Sequence, residues 1–378
     1  MKVTALTTYI TWGDPRNWVF VKVQTDEGIY GWGEATVEGR ERTVEAAIHE
    51  VGDALIGEDP TAVEHHWQRL FRLGFWKGGV ILTSALSALD QACWDIAGKA
   101  CGKPVYRLLG GPTRSRIRLY THVGIYDPTR MIDDVERHKS EGFTAFKTGA
   151  WHGDARLSER EAVRVFAQRV AQLREIAGPD VDLMIDNHGR SRPGAAIRLM
   201  RALEPYDLYF FEEPTPPENL EALAKVVQAG FDMDIAAGER LYTKWGFREL
   251  LERQLVNVIQ PDVCHAGGIT ELKKIAALAE TYYVQVAPHN PQGPVSMAAC
   301  VQLGAAIPNF AILEYVHSQP WRDRIQSQPL VVRDGHVELP ILPGLGIDLD
   351  EEALRASPYN PRPRRQDATD AYGAVVDV

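Results

Sequence analysis

Six polar residues recur at a near-constant interval along this chain: Asp186, Glu212, Glu239, Asp262, His289 and Glu314. The gaps between neighbours are 26, 27, 23, 27 and 25 residues. Each residue closes a short apolar run rich in β-branched and aromatic side chains. The order reads as a divalent-metal site followed by an acid–base pair and a further carboxylate. Asp186, Glu212 and Glu239, on neighbouring strand ends, would repel one another in water-poor surroundings unless a cation neutralised them. An all-oxygen ligand set selects a hard ion, Mg2+ first, with positions left open for substrate. Asp262 beside His289 would fix the imidazole tautomer and raise its basicity.

Two more residues join this set, and its last member takes a role of its own. His188 follows Asp186 by two, so strand periodicity points both side chains the same way. There His188 can donate a proton to a leaving group. Lys147 closes Phe146-Lys147-Thr148-Gly149. Inside a barrel mouth it needs a negative partner, and it could bind a substrate carboxylate or form a Schiff base. Glu314, depending on its protonation, could hydrogen-bond a developing oxyanion. The bland readings are capping carboxylates, a satisfied structural histidine and a lysine reaching solvent. Recurrence on successive strand ends weighs against them. His265-Ala266-Gly267-Gly268 lacks the spacing of a nucleotide loop and is read as a tight strand-to-helix turn.

The positioning elements follow from the same spacing. One strand, one helix and two short loops occupy about 25 residues, and a (β/α)8 barrel gathers its chemistry at the carboxyl ends of successive strands. From about Ile117 the pattern alternates strictly, with strands closing at Gly124, Gly149, His188, Pro214, Arg240, Val263, Asn290 and Val316. Between them lie helical segments such as 160–177, 194–203, 220–229, 244–253 and 269–281. The front of the chain does not alternate. Residues 1–37 read as a β-meander, and 40–55 and 83–100 carry apolar residues at helical period. After Val316 a hairpin is signalled around Asp334-Gly335. The division expected is a capping domain over 1–115, a barrel over 116–325, and a segment over 326–378 that returns to the cap, since a closed barrel offers no edge. The polar last 15 or so residues are expected to run over the surface.

The 378 residues carry 41 Lys and Arg against 51 Asp and Glu, a formal net charge of −10 without a basic run. Nucleic acid and anionic membranes are therefore poor partners. An anionic substrate needs a local positive centre, which a bound cation would provide. The four cysteines, Cys93, Cys101, Cys264 and Cys300, form no CxxC pair and are expected as buried free thiols of a reducing compartment. No leader-like or spanning apolar run is present, so the cytoplasm is the expected location.

Taken together, the motifs resemble the enolase superfamily in its mandelate racemase branch. They include Gly39-Arg40, Arg42-Thr43-Val44-Glu45-Ala46-Ala47, Asp90-Gln91-Ala92 and Trp94-Asp95-Ile96. In the barrel region they are Asp186 with His188-Gly189-Arg190, Phe211-Glu212-Glu213-Pro214, Ala236-Ala237-Gly238-Glu239-Arg240 and Gln260-Pro261-Asp262. His265-Ala266-Gly267-Gly268-Ile269-Thr270-Glu271 and Ala287-Pro288-His289 complete the set.

The resemblance implies a capped α/β barrel with Mg2+ on Asp186, Glu212 and Glu239. It makes His289 the base at C2 of an acid sugar and His188 the acid for the C3 hydroxyl. Lys147, His188, Arg240, His289, Glu314 and Trp18 are expected to meet substrate, with lid loops near Trp12–Trp18 and Gly74–Val80 helping to select it. It further implies a homo-oligomer, often an octamer. Gly149 stands where many relatives carry a second lysine or another polar residue, which argues against a lysine-based racemase.

The expected reaction is dehydration of an aldonate, galactonate or similar, to the 2-keto-3-deoxy acid through an enediolate. Alternatives on the same site are gluconate, arabinonate or an aldarate as substrate, or epimerisation. Different in class are a Schiff-base aldolase using Lys147 and a non-catalytic barrel.

Overall fold

A computed structural model describes residues 1–149, 158–317, 319–361 and 373–375. The chain opens with an antiparallel meander, β1 (Val3–Gly13), β2 (Arg16–Thr25) and β3 (Tyr30–Glu34). Helices α1 (Glu41–Gly52) and α3 (Gly79–Ala100) pack on it, and α2 (Val63–Arg72) packs on α3. Gly31 and Gly33 let α3 lie close on β3, since a Cβ at either would meet the α3 backbone carbonyl of Ala92 or Ala88. After α3 the chain turns at Gly102, whose φ is +62°, and passes through α4 (Val105–Leu108).

Eight parallel strands then alternate with helices: β4 (Arg116–His122), β5 (Ala145–Gly149), β6 (Asp182–Asp186), β7 (Leu208–Glu212), β8 (Asp234–Ala237), β9 (Val258–Ile259), β10 (Gln285–Val286) and β11 (Leu313–Glu314). The helices are α5 (Pro128–Ser140), α6 (Glu159–Ala177), α7 (Pro193–Leu203), α8 (Leu220–Val227), α9 (Thr243–Glu252), α10 (Gly268–Glu280) and α11 (Pro294–Gly304). Strands β4 to β10 pair in chain order, β11 pairs with β4, and a parallel bridge from Val286 to Phe310 closes the ring. The interior is filled by Tyr120, Ala145, Met184, Phe210, Ala236, Val258, Ala287 and Ile312, all fully buried. Each strand or its immediate flank supplies one, so the cylinder is a packed core whose upper rim is free for chemistry.

Past β11 come α12 (Pro320–Arg324) and strands β12 (Gln326–Gln328), β13 (Val332–Arg333), β14 (His336–Glu338) and β15 (Asp348–Leu349), then α13 (Glu351–Ala356). The β13–β14 hairpin forms where the Asp334-Gly335 turn predicts it, but the argument that the barrel offers no edge fails. Strand β4 runs longer than β11 can cover: β11 pairs with Leu119 and Tyr120, while Arg116–Arg118 pair antiparallel with β14. The chain beyond does reach the cap. Glu351 of α13 takes hydrogen bonds from Lys22, Tyr9 and Arg355, and Asn360 exchanges bonds with Asn17. The expected surface course of the last 15 or so residues lies almost wholly outside the described residues. Cys93, Cys264 and Cys300 are buried free thiols, but Cys101 is exposed. Among the described residues no helix is long and apolar enough to cross a membrane.

Candidate metal centre and acid–base site

The barrel core dictates where the chemistry sits. Strand side chains alternate, so the residue two beyond an interior one points into the cylinder one layer higher. Counting two from the filling layer gives His122, Lys147, Asp186, Glu212, His289 and Glu314. Two strands deviate. On β8 that place is Gly238, whose φ of +133° and contact with Phe247 leave no room for a side chain, and Glu239 follows it. On β9 the place is Gln260, and Asp262 comes one period later. Glu239, Asp262 and His289 therefore stand just past their strands, while Asp186, Glu212 and Glu314 are the last residues of theirs.

Ligand oxygens of Asp186, Glu212 and Glu239 all lie within 4.8 Å of one another. Glu239 Oε2 is buried without a hydrogen bond, although His289 Nε2 stands 3.3 Å from it as an ion-pair partner. The donor set is oxygen only, and the cluster fits a hard divalent cation. Burial and the neighbouring Asp186 charge push the Glu212 carboxyl well above the usual range. Burial also works against Asp186, but Lys147 and His188 outweigh it and hold that carboxyl at about 2.

Lys147 has its negative partners. Its Nζ lies 3.0 Å from Glu212, 3.0 Å from Glu314 and 3.6 Å from Asp186. Burial alone would lower this amine, but the carboxylates outweigh it and hold it well above its ordinary value. A Schiff-base nucleophile needs the opposite shift, so the aldolase reading loses its residue. Glu314 accepts from His122 Nε2 at 2.7 Å and from the Asn290 backbone N–H at 2.8 Å. Burial favours its neutral form, yet Lys147 and His122 keep it well below the usual carboxylate range. It is therefore an acceptor rather than the neutral acid considered for an oxyanion.

His188 Nε2 lies 2.8 Å from Asp186 Oδ2, and its backbone N–H donates to Asp186 Oδ1. The expected direction is right, but its cause is different. Strand β6 ends at Asp186, and His188 turns back with a φ of +50°. The hydrogen bond to Asp186 raises the His188 pKa against its burial. Arg240 forks onto Glu213 (Nε–Oε1 2.9 Å, Nη2–Oε2 2.6 Å) and donates to the His188 carbonyl at 3.2 Å. It braces the left-handed turn that carries His188.

His289 Nδ1 lies 2.7 Å from Asp262 Oδ2. Burial would lower this imidazole, but the Glu239 and Asp262 charges overcome it and raise it to about 10. Asp262 is held ionised, burial notwithstanding, by His265 and His289, and its Oδ1 accepts from the Cys264 backbone N–H.

The cap reaches this dyad through one face of α3. Ser84 bonds His265, Ser87 accepts from Gly267 N–H, Gln91 donates to the Val263 carbonyl, and Asp90 accepts from Thr270 N–H. Gly267 and Gly268 have φ of +117° and +75°, and a Cβ on Gly268 would strike Asp90. The tight-turn reading of that segment holds.

Trp18, expected to meet substrate, lies in the interior. It is fully buried and stacks on Trp321 at 4.3 Å, with its Nε1 on the Gly13 carbonyl. In the second segment expected as a lid, Phe75 and Trp76 are 88% and 84% exposed. His122 is the site residue that spacing missed: its strand is the first of the barrel, two units before the six-residue series begins. The alternation of His122 with the interior Tyr120 was the available signal.

A closed parallel barrel with carboxylates from three adjacent strands and imidazole–carboxylate pairs beside them defines a class of metal-assisted barrel enzymes. The chain belongs to the mandelate racemase/muconate lactonizing enzyme family of the enolase superfamily. Residues 3–110 match the mandelate racemase/muconate lactonizing enzyme N-terminal domain, and residues 130–353 the enolase C-terminal domain-like family. It is 42% identical over 358 residues to a D-galactonate dehydratase of Ralstonia pickettii, covering 93% of each chain. It is 42% identical to one of Variovorax paradoxus, over 96% of this chain and 95% of that one. Among solved structures it resembles an enolase from Agrobacterium radiobacter, provisionally described as a galactarate dehydratase and crystallised with sodium and L-malate. The TM-score is 0.93 and the identity 34%, with both chains fully covered.

Proposed function

We propose that this protein is a Mg2+-dependent acid-sugar dehydratase, acting on D-galactonate or a similar aldonate. The observation that carries the reading is the placement of two proton carriers at opposite ends of one carboxylate triad. His188 lies against Asp186, and His289 against Glu239. Mg2+ bound by Asp186, Glu212 and Glu239 would neutralise the charge that develops on the substrate carboxylate when its α-proton leaves.

The chain supplies the rest. His289, oriented by Asp262, takes the C2 proton. It is the charge of Glu239 that most raises its pKa, so neutralising that charge frees the imidazole to act as a base. His188, placed by Asp186 and by the Arg240 brace, gives a proton to the C3 hydroxyl. The C3–O bond breaks, water leaves, and the resulting enol tautomerises to the 2-keto-3-deoxy acid. Lys147 and Glu314 form a fixed charge pair beside the triad, Lys147 also touching Glu212, with His122 on Glu314.

The likeness to the galactarate-type neighbour favours one second reading, an aldarate on the same site. A panel of aldonates and aldarates, with keto product trapped by semicarbazide, tests both. The aldonate reading expects galactonate among the best substrates. Turnover of aldarates alone would replace it, and no turnover of any acid sugar would remove both. In D2O, His188→Asn should keep C2 exchange while dehydration falls roughly a hundred- to ten-thousand-fold. His289→Asn should lose both. Equal loss of exchange in the two variants would contradict the division of roles.

A further inference from the structure

A second cluster of ligating side chains lies outside the mouth of the barrel. His138 and Glu141 stand at the carboxyl end of α5, three residues apart, and His317 follows β11. One ligand atom from each lies within 4.8 Å of the other two. His317 Nε2 is 2.9 Å and His138 Nδ1 3.5 Å from the same oxygen, Glu141 Oε2.

We propose that His138, Glu141 and His317 form a binding site for a transition-metal ion of the Zn2+ class, separate from the three-carboxylate centre. Two imidazoles and one carboxylate are a donor set that Zn2+, Co2+ and Ni2+ prefer and Mg2+ does not. Bonds of about 2.0–2.1 Å in a tetrahedron put neighbouring ligand atoms about 3.3 Å apart. The two observed spacings bracket that value, so small side-chain shifts suffice.

Surrounding contacts hold the ligands in place. The His138 ring packs edge-on against Phe143 and that of His317, and His317 packs edge-on against Phe143 and Tyr315. An Arg137 N–H faces His138 Nε2 at 3.4 Å, which leaves Nδ1 to carry the proton toward Glu141. A metal ion would take that proton's place. The carboxyl terminus of α5 adds the negative end of a helix dipole, favourable to a cation. Arg137 opposes it, but that guanidinium is paired with Asp134 at 2.6 Å. His138 is buried, while Glu141 and His317 are partly exposed, so an ion has a route in and solvent or an outside ligand could complete its shell. Such an ion would fasten the loop after Glu314 to α5.

The test uses the full chain, stripped with chelator and dialysed into excess Mg2+ to occupy oxygen-ligand sites. Zn2+ is then added, the protein is desalted, and metal is counted by elemental analysis. Co2+ replaces Zn2+ in a parallel sample read by visible absorption. One retained equivalent is expected, with the intense Co2+ bands of a tetrahedral site. Both should be lost in His317→Ala and Glu141→Gln, whose melting temperatures without Zn2+ should match the parent because neither residue is fully buried. No retained equivalent, or an equivalent that survives both substitutions, overturns the site.

Discussion

Lys147 sets one positive charge against Glu212, Glu314 and Asp186, all of them buried. Removing it leaves carboxylates uncompensated in a poorly solvated site, which typically costs about 3–5 kcal/mol. Lys147→Met is therefore expected to lower stability by that order in metal-free urea unfolding, and by less when Mg2+ is present. A variant as stable as the parent under both conditions would mean that the carboxylates already hold protons and need no lysine. At this scale the sequence was most readable where chemistry and strand period coincide. Asp186, Glu212 and Lys147 stand two residues past interior ones, and that rule needs no tertiary knowledge. The packing partners of Trp18 and Arg240 were unreadable for a shared reason. A large side chain on a strand or a charged one in a loop does not declare whether it faces substrate or braces a neighbour. Only packing decides, through Trp321 in one case and Glu213 in the other.

Glu34 closes β3 and crosses into the barrel, where its oxygens accept the N–H groups of Gly293 and Ser296 at the start of α11. That contact fixes the segment just after His289. Neighbouring polar positions on α3 clamp the loop after Asp262, so the cap holds both halves of the proposed base. The sequence hid this function of the cap. Ser84, Ser87 and Gln91 at helical spacing look like an ordinary polar face, and their burial arises only when α3 meets the β9–α10 turn. Glu34→Gln keeps the shape but replaces one acceptor with a donor facing a backbone N–H, a mismatch worth about 1–3 kcal/mol.

The pH dependence has a definite sign. Burial raises the folded Glu34 carboxyl from 4.5 to about 7, despite those N–H donors. Between those values the folded state holds a proton that the unfolded state has released. The associated stability is full below pH 4.5 and is lost as pH rises through 7. The gap in unfolding free energy between parent and Glu34→Gln should accordingly narrow across that window. A widening gap would show that the α11 N-terminus keeps Glu34 ionised and that burial does not dominate.

The whole molecule carries a net charge of −10 and yet is proposed to take an anionic substrate. Long-range attraction cannot bring the two together, so a local positive centre is needed, which a bound cation would supply. The same logic ties the cation to folding. The ring closes by pairing β11 with β4 on one side of the mouth, while Asp186 and Glu212 face each other in register across β6 and β7 on the other. Ring closure thus forces carboxylates together whether or not a cation is present. An ion that binds only the closed ring stabilises it by mass action, about 1.4 kcal/mol for each tenfold rise in concentration above its dissociation constant. The melting temperature should climb with the logarithm of Mg2+ concentration and fall back with chelator. Asp186→Asn and Glu239→Gln should flatten the climb, because each removes an anionic ligand and part of the repulsion that the ion relieves. Calorimetric melts across a Mg2+ series measure this directly. A parent protein whose melting point ignores Mg2+, while the two variants melt higher than it does, would mean that the triad is a repulsive cluster balanced by Lys147 alone.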